Sequence, residues 1–148
     1  MAHYKFTETD VELAALEWLG EVGYSYVGGP DIAPCETAAE RQSYRDVILV
    51  ERLRSSLDQL NPDLPTESLE DAIRQLTRTE SPNLFVNNHR FHRLLVDGVP
   101  VNYQDNGRTV YTDAHVVDWG NPLANGWLEV NQYSIRKLGT LMDPNKPL

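Results

Sequence analysis

Apolar residues recur at helical spacing through roughly the first hundred positions, then change to a period of two. The first helix is expected to begin at Thr7, a cap residue, with Phe6 stapling against Val11. Thr9 with Glu12 makes a competing capping box. Val11, Ala15, Trp18 and Leu19 form the apolar stripe, with Glu12, Glu17 and Glu21 away from it, and Gly20 and Gly23 end the pattern. Residues 23–38 read as a loop or short strand broken at Gly28-Gly29-Pro30. A second helix is expected over roughly 40–60, on the stripe Tyr44, Val47, Val50, Leu53, Leu57 and Leu60, with Ile48 and Leu49 marking a deeply buried turn. Asn61-Pro62 stops it. The third starts near Thr66 and buries Leu69, Ala72, Ile73 and Leu76. Its acids, Glu67, Glu70 and Asp71, sit in the first turn and Arg74 and Arg78 at the end, matching the macrodipole. Ser81-Pro82 opens a fourth helix, with Leu84, Phe91 and Leu95 on its face and Gly98 as its stop.

From Val99 the apolar positions alternate through Val101 and Tyr103, and Asp105-Asn106-Gly107 signals a hairpin. Further strands are expected near 109–119 and 127–135, with turns at Asn121-Pro122 and Asn125-Gly126. Helices followed by an antiparallel β-meander give the α+β class. The 148 residues fit one domain, 1–148, with no internal repeat.

Composition narrows the function. No run of about 18 apolar residues predicts a membrane span. The start, Met1-Ala2-His3-Tyr4-Lys5, lacks the pattern of a secretory signal. The single cysteine, Cys35, forms no internal disulfide and builds no cysteine zinc site, so a reducing, cytoplasmic setting is expected and Cys35 reads as an inert loop thiol. A net charge of −9 repels DNA on average and argues against a complete DNA-binding module. It leaves room for one part of a larger DNA enzyme whose basic channel lies elsewhere.

Candidate chemistry is sparse. His89 and His92 share a helix face, but two histidines do not make a zinc site, and a solvated or partner-facing pair explains them; His3 and His115 stand alone. Gly28-Gly29-Pro30 is followed by no Gly-Lys-Ser/Thr, so it is a turn and not a phosphate loop, and no Gly-x-Ser-x-Gly elbow exists. No small-molecule or cofactor site is evident. Metal-dependent nucleases place an Asp on one strand and Glu-x-Lys on the next. Here Asp118 ends a strand and Glu129 lies on the following one, but Asn131 stands where the lysine would be. Asp118 therefore reads as a turn residue and Glu129 as an exposed strand position. Of the lysines, Lys5, Lys137 and Lys146, neither downstream one has an acid two residues before it. The amides Asn83, Asn87, Asn88, Asn131 and Gln132 are read as structural.

The whole string of short motifs, in order, resembles the N-terminal region of the restriction (R) subunits of type I restriction–modification systems. The matching pieces are Phe6-Thr7-Glu8, Val11-Glu12 and Leu16; Leu19-Gly20 with Gly23-Tyr24; and Leu53 to Leu60-Asn61-Pro62. Ala72-Ile73, Asn88, Phe91-His92, Leu94-Leu95 and Gly98-Val99-Pro100-Val101 continue it. Val117-Asp118-Trp119, Asn121-Pro122, Asn125 and Val130-Asn131-Gln132-Tyr133 complete it. No single piece is diagnostic, whereas the ordered string covers nearly the whole chain.

The resemblance implies a large subunit with an N-terminal nuclease domain ahead of an ATP-driven, helicase-like motor. It implies DNA as substrate, magnesium and ATP as cofactors of the full-length protein, and methyltransferase and specificity subunits as partners. The nuclease fold implied is of the PD-(D/E)xK type, of which this chain would be the incomplete front. In that family a Pro-Asp follows the Asn-Gln-aromatic strand, and Glu-x-Lys comes on the next strand. Here Asp143-Pro144 appears in place of Pro-Asp, and no Glu-x-Lys follows. The chain is thus expected to be cut off before the residues that cleave DNA, with no catalytic or metal residue carried over. One position remains: a first-helix glutamate sometimes assists metal binding in such folds, and Glu12 would be that residue. A glutamate in a helix's first turn is equally explained by the macrodipole. The alternative role is a non-catalytic interaction module that docks partner subunits.

Overall fold

The computed structural model describes residues 7–136. The expected Phe6 staple, His3, and the three lysines lie outside them. The order of elements is α1 (Glu8–Glu21), β1 (Ser25–Gly28), α2 (Val50–Leu60), α3 (Thr66–Thr77), α4 (Leu84–Asp97), β2 (Val99–Asp105), β3 (Arg108–Ala114), a 3-10 turn (Pro122–Ala124) and β4 (Leu128–Asn131). Helix and strand are mixed, in keeping with an α+β class. The described residues form two compact units: residues 7–49 with 127–136, and residues 50–126.

The unit of residues 50–126 holds the main apolar core. Leu57, Leu69, Ala72, Ile73, Leu76, Leu94, Val99, Val101 and Ala114 are buried together. The stripe expected of α3 is buried in full, because its apolar positions keep the 3.6-residue period without interruption. β2 and β3 pair antiparallel, with Asp105 opposite Arg108. The intervening Asn106 and Gly107 have φ of 49° and 78°, the left-handed pair that a two-residue hairpin turn of matching twist requires. Gly98, at φ 95°, ends α4 as expected.

Several expectations are corrected here. β3 stops at Ala114 and does not run to residue 119. The next residue, His115, has both backbone groups taken by the Asn61 side chain, so the ladder cannot continue. α4 is capped by Asn83, whose Oδ1 accepts from the Phe85 and Val86 amides, and not by Ser81. Ser81 instead accepts from the Asn83 amide through its hydroxyl and from the Asn87 side chain through its carbonyl. Leu94 is the buried residue of α4, while Leu84 (77%) and Phe91 (42%) are exposed. The Leu84–Phe91–Leu95 face is thus displaced toward Leu94.

In the other unit, β4 pairs with β1 in parallel, Ser25 against Leu128 and Gly28 against Asn131. The third strand therefore does not complete a meander beside β3. Alternation identifies a strand but not its partner. Gln132, with φ 53°, ends β4 well short of residue 135.

The helix expected from residue 40 begins only at Val50. The Asp46 carboxylate accepts from the backbone N–H groups of Gln42 and Ser43, a local alternative that competes with helix formation. Val47 is 59% exposed and Ile48 37%, so no deeply buried turn exists there.

Candidate functional site

Among the sequence candidates, Glu12 is tied by the structure into a network that joins α1 to β4 and β1. At the start of α1, the Thr7 hydroxyl accepts from the Asp10 amide at 3.2 Å, and Asp10 Oδ2 accepts from the Thr7 amide at 2.8 Å. These reciprocal bonds close the capping box on Thr7, with Asp10 as its third residue. The Thr7 backbone bond, then its hydroxyl bond, hold the Asp10 carboxyl below the usual carboxylate range. The competing box of Thr9 and Glu12 is not used.

Glu12 is thereby released for a tertiary contact. Its Oε1 accepts from Asn131 Nδ2 at 3.0 Å, at the last residue of β4. Asn131 Oδ1 in turn accepts from the Tyr26 hydroxyl at 2.8 Å, on β1. Tyr26, Asn131 and Glu12 thus form a hydrogen-bonded relay from β1 through β4 to α1. The parallel pairing of β1 and β4 brings Tyr26 and Asn131 to adjacent strands.

This contact corrects the expected face of α1. Val11 (63%) and Trp18 (67%) are exposed, whereas Glu12, Leu16 and Leu19 are half-buried. Ala15 and Leu19 of the expected stripe are half-buried as the spacing suggests, while Glu12 and Leu16 take the inward places expected of Val11 and Trp18. Glu12 lies on the inward face and not away from it. A cleft of about 750 Å³ beside this face is lined by Glu8, Thr9, Val11, Glu12 and Gln132.

Divalent hard cations are held by several oxygen ligands, and magnesium commonly takes only one or two of them from protein carboxylates. Glu8 and Glu12 are the carboxylates of this cleft, and Glu12 already accepts from Asn131. Among the described residues no group of three or more His, Cys, Asp or Glu converges to hold a metal ion. A magnesium ion held by the two carboxylates of this cleft would take its remaining ligands from water or substrate phosphates.

The remaining candidates fall elsewhere. Asp118 Oδ1 accepts from the amides of Gly120 and Asn121, both at 2.9 Å. Asn125 grips the same residue's backbone, its Oδ1 accepting from the Asp118 amide and its Nδ2 donating to the Asp118 carbonyl. The Trp119 indole donates to the Leu95 carbonyl. The Asp-Trp-x-Asn-Pro-x-x-Asn stretch, residues 118–125, is therefore a self-locked turn. Glu129 is half-buried on β4, opposite Tyr26, where full exposure was expected. His89 and His92 are exposed on α4; His89 lines a mostly apolar cleft of about 660 Å³ with Phe85, Val86, Arg90 and Leu94. Cys35 is exposed with φ 74°. No helix among the described residues is long and apolar enough to cross a membrane.

Arg41 carries a feature that sequence reasoning missed. It is 5% exposed, stacked over Tyr133 at 4.0 Å and against Tyr44 at 5.2 Å. A lone arginine in a segment expected to be helical gives no signal of such a position.

Comparison with known proteins agrees with the ordered motifs. The family described as "Type I restriction enzyme R protein N terminus" matches residues 5–146. The type I restriction enzyme HindI endonuclease subunit of Haemophilus influenzae is 35% identical over 132 residues, covering 87% of this chain and 12% of that protein. A protein of Methanocaldococcus jannaschii, described as a type I restriction enzyme MjaIXP endonuclease subunit, is 30% identical over 125 residues, 84% of this chain and 12% of its own length. The chain thus spans about an eighth of each of these relatives. No solved structure matches it significantly. With nearly its whole length matched, the chain belongs to the family of type I restriction enzyme R protein N termini.

Proposed function

We propose that this chain acts as the front of the endonuclease and translocase subunit of a type I restriction–modification system, whose role is ATP-dependent cleavage of unmodified foreign DNA. The observation that carries the reading is the family match over residues 5–146. In this reading the fold is the front of a PD-(D/E)xK-type nuclease domain. Magnesium and ATP serve the full-length protein, and the methyltransferase and specificity subunits are its partners in the cytoplasm. Residues 1–148 contain no Glu-x-Lys, so this stretch alone does not cleave. Glu12 acts in it by fixing Asn131 at the end of β4, next to where the family's catalytic strands would follow. A plasmid incubated with the chain, magnesium and ATP stays supercoiled; robust nicking or linearisation would overturn the reading and restore Asp118 and Glu129 as candidates.

A second reading, a non-catalytic module that docks partner subunits, is favoured by one observation. The first turn of α4 presents Leu84 (77% exposed), Phe85 (78%) and Val86 (50%) side by side, an apolar patch of the kind that marks interaction sites. Co-purification with the methyltransferase and specificity subunits, lost in Phe85→Asp, supports it. No co-purification of the wild-type chain removes it.

A further inference from the structure

The buried guanidinium of Arg41 is only partly satisfied. Its Nη1 donates to the Ser134 carbonyl at 2.7 Å. Its Nε and Nη2 are buried and have no acceptor among the described residues. Buried donors of a charged group without a partner are costly and rare in folded proteins, and call for an occupant. Arg41 lines a cleft of about 560 Å³ together with Gly29, Tyr44, Gln132, Tyr133 and Ser134. None of the residues lining it is acidic, although the chain as a whole carries a net charge of −9.

The two free donors have a specific geometry. Nε–H and one Nη2–H project in parallel from one edge of the planar guanidinium, the edge that matches two oxygens of a phosphate or carboxylate. Arg41 is held in place by the faces of Tyr133 and Tyr44 and by the Ser134 carbonyl. Little side-chain freedom remains to be lost on binding. A second guanidinium, that of Arg136, lies 4.9 Å from the other occupant of this cluster, the Tyr44 ring. Aromatic walls beside a cation also suit a nucleic-acid strand, whose sugars and bases flank each phosphate.

We infer that the cleft around Arg41 is an oxyanion subsite, which takes a phosphate group on the Nε–Nη2 edge. The oxyanion chemistry stands on the Arg41 geometry. That the phosphate belongs to a DNA backbone rests on the function proposed above.

The test uses the 148-residue chain labelled with nitrogen-15, reading the arginine Nε–H signals by NMR. The Arg41 signal is assigned by through-bond experiments on the wild type and by its absence in Arg41→Lys. Titration with inorganic phosphate is expected to move this signal saturably, while chloride at matched ionic strength does not. The thermal midpoint is expected to rise with phosphate, since a ligand of the native state stabilises it. Arg41→Lys keeps the charge but not the parallel donors, and is expected to lose that rise. An unmoved wild-type signal in phosphate overturns the subsite, whether or not the variant folds. A short DNA duplex then separates the two sources. Competition between duplex and phosphate for the Arg41 signal assigns the site to the DNA backbone. A duplex that leaves the signal unmoved where phosphate shifts it refutes that assignment and leaves a free-phosphate site. Duplex binding that is equal in wild type and Arg41→Lys, with no phosphate shift, overturns the subsite while sparing the DNA reading.

Discussion

Asn61 and His115, 54 positions apart, are joined by two hydrogen bonds: the His115 amide donates to Asn61 Oδ1 at 2.7 Å, and Asn61 Nδ2 donates to the His115 carbonyl at 2.9 Å. Nδ2 also donates to the Leu57 carbonyl at 2.8 Å, at the C-terminal end of α2. One buried amide thus satisfies the helix end and terminates β3. The Asn61-Pro62 motif reads as a helix stop in the sequence, yet Asn61 works mainly across the fold.

Asn61→Leu is therefore expected to destabilise the chain by about 2 kcal/mol, because it orphans polar groups as well as removing bonds. Asn61→Asp keeps the acceptor for the His115 amide but not the donor, and is expected to cost less at acid pH, where the protonated acid again has a donor. Urea unfolding of the two variants at neutral and acid pH checks this. A wild-type midpoint for Asn61→Leu would show that water satisfies the same groups.

A different result is expected for Glu12. Asn131 donates to a carboxylate oxygen, and the amide oxygen of glutamine accepts equally well in the same place. Glu12→Gln is expected to leave stability within about 0.5 kcal/mol of wild type, whereas Glu12→Ala, which strands the Asn131 amide, loses about 1 kcal/mol. Thermal melts of both variants decide it. Should Glu12→Gln lose as much as alanine, the negative charge itself, and not the hydrogen bond, matters at this cleft.

How far the sequence was readable depends on whether a contact is local. α3 and the Asn106-Gly107 hairpin follow from neighbours in sequence, and both form as expected. The face of α1 was legible only in part, at Ala15 and Leu19, because Asn131, 119 positions away, draws Glu12 inward. The segment 40–49 has helical spacing, but the Asp46 side chain binds the amides of Gln42 and Ser43, and the Tyr133 hydroxyl donates to the Asp46 carbonyl. The parallel partner of β4 is equally non-local. Arg41 was illegible for the same reason, since its tyrosine walls come from Tyr44 and from Tyr133 at the far end of the chain. The motif string, by contrast, identified the family, although several of its members, Asn61, Asp118 and Asn125 among them, hold turns and helix ends in place.

Acid is expected to destabilise the α2–α3 pair. Arg54 bridges Glu51 and Glu70, each at 2.6 Å, and its hydrogen bond holds the Glu70 carboxyl below the ordinary 4.5. Arg74, then Gln75, hold Asp71 below 3.8 in the same way. A carboxylate whose folded value is lowered adds stability that is present above its unfolded value and is lost as pH falls through the folded one. The melting temperature should therefore stay level above about pH 5 and fall toward about pH 3. The slope is shallow, because these pairs are open to solvent. Glu70→Gln should make it shallower still; an unchanged slope would assign the acid loss to other carboxylates.

Gly29 sets the closest approach in the unit that holds the candidate site. Its amide donates to the Asn131 carbonyl at 2.8 Å, continuing the β1–β4 pairing by one residue. A Cβ at this position would lie 2.5 Å from the backbone oxygens of both Asn131 and Gln132. Neither is the end of a flexible side chain, so the strand itself must move. Gly29→Ala is expected to cost about 2–3 kcal/mol, as overpacking against fixed atoms does. Because the displaced atoms belong to Asn131 and its neighbour, the strain falls on the strand end that binds Glu12. Hydrogen exchange should accordingly quicken at the amides of β1 and β4, and the chain should unfold at lower urea. Gly20→Ala, on α1 where nothing lies within 4 Å of the added carbon, is the control and is expected to be neutral or stabilising. Wild-type exchange rates in Gly29→Ala would mean that β4 can retreat from β1 without loss, and the Tyr26–Asn131–Glu12 relay would then not be a rigid part of the site.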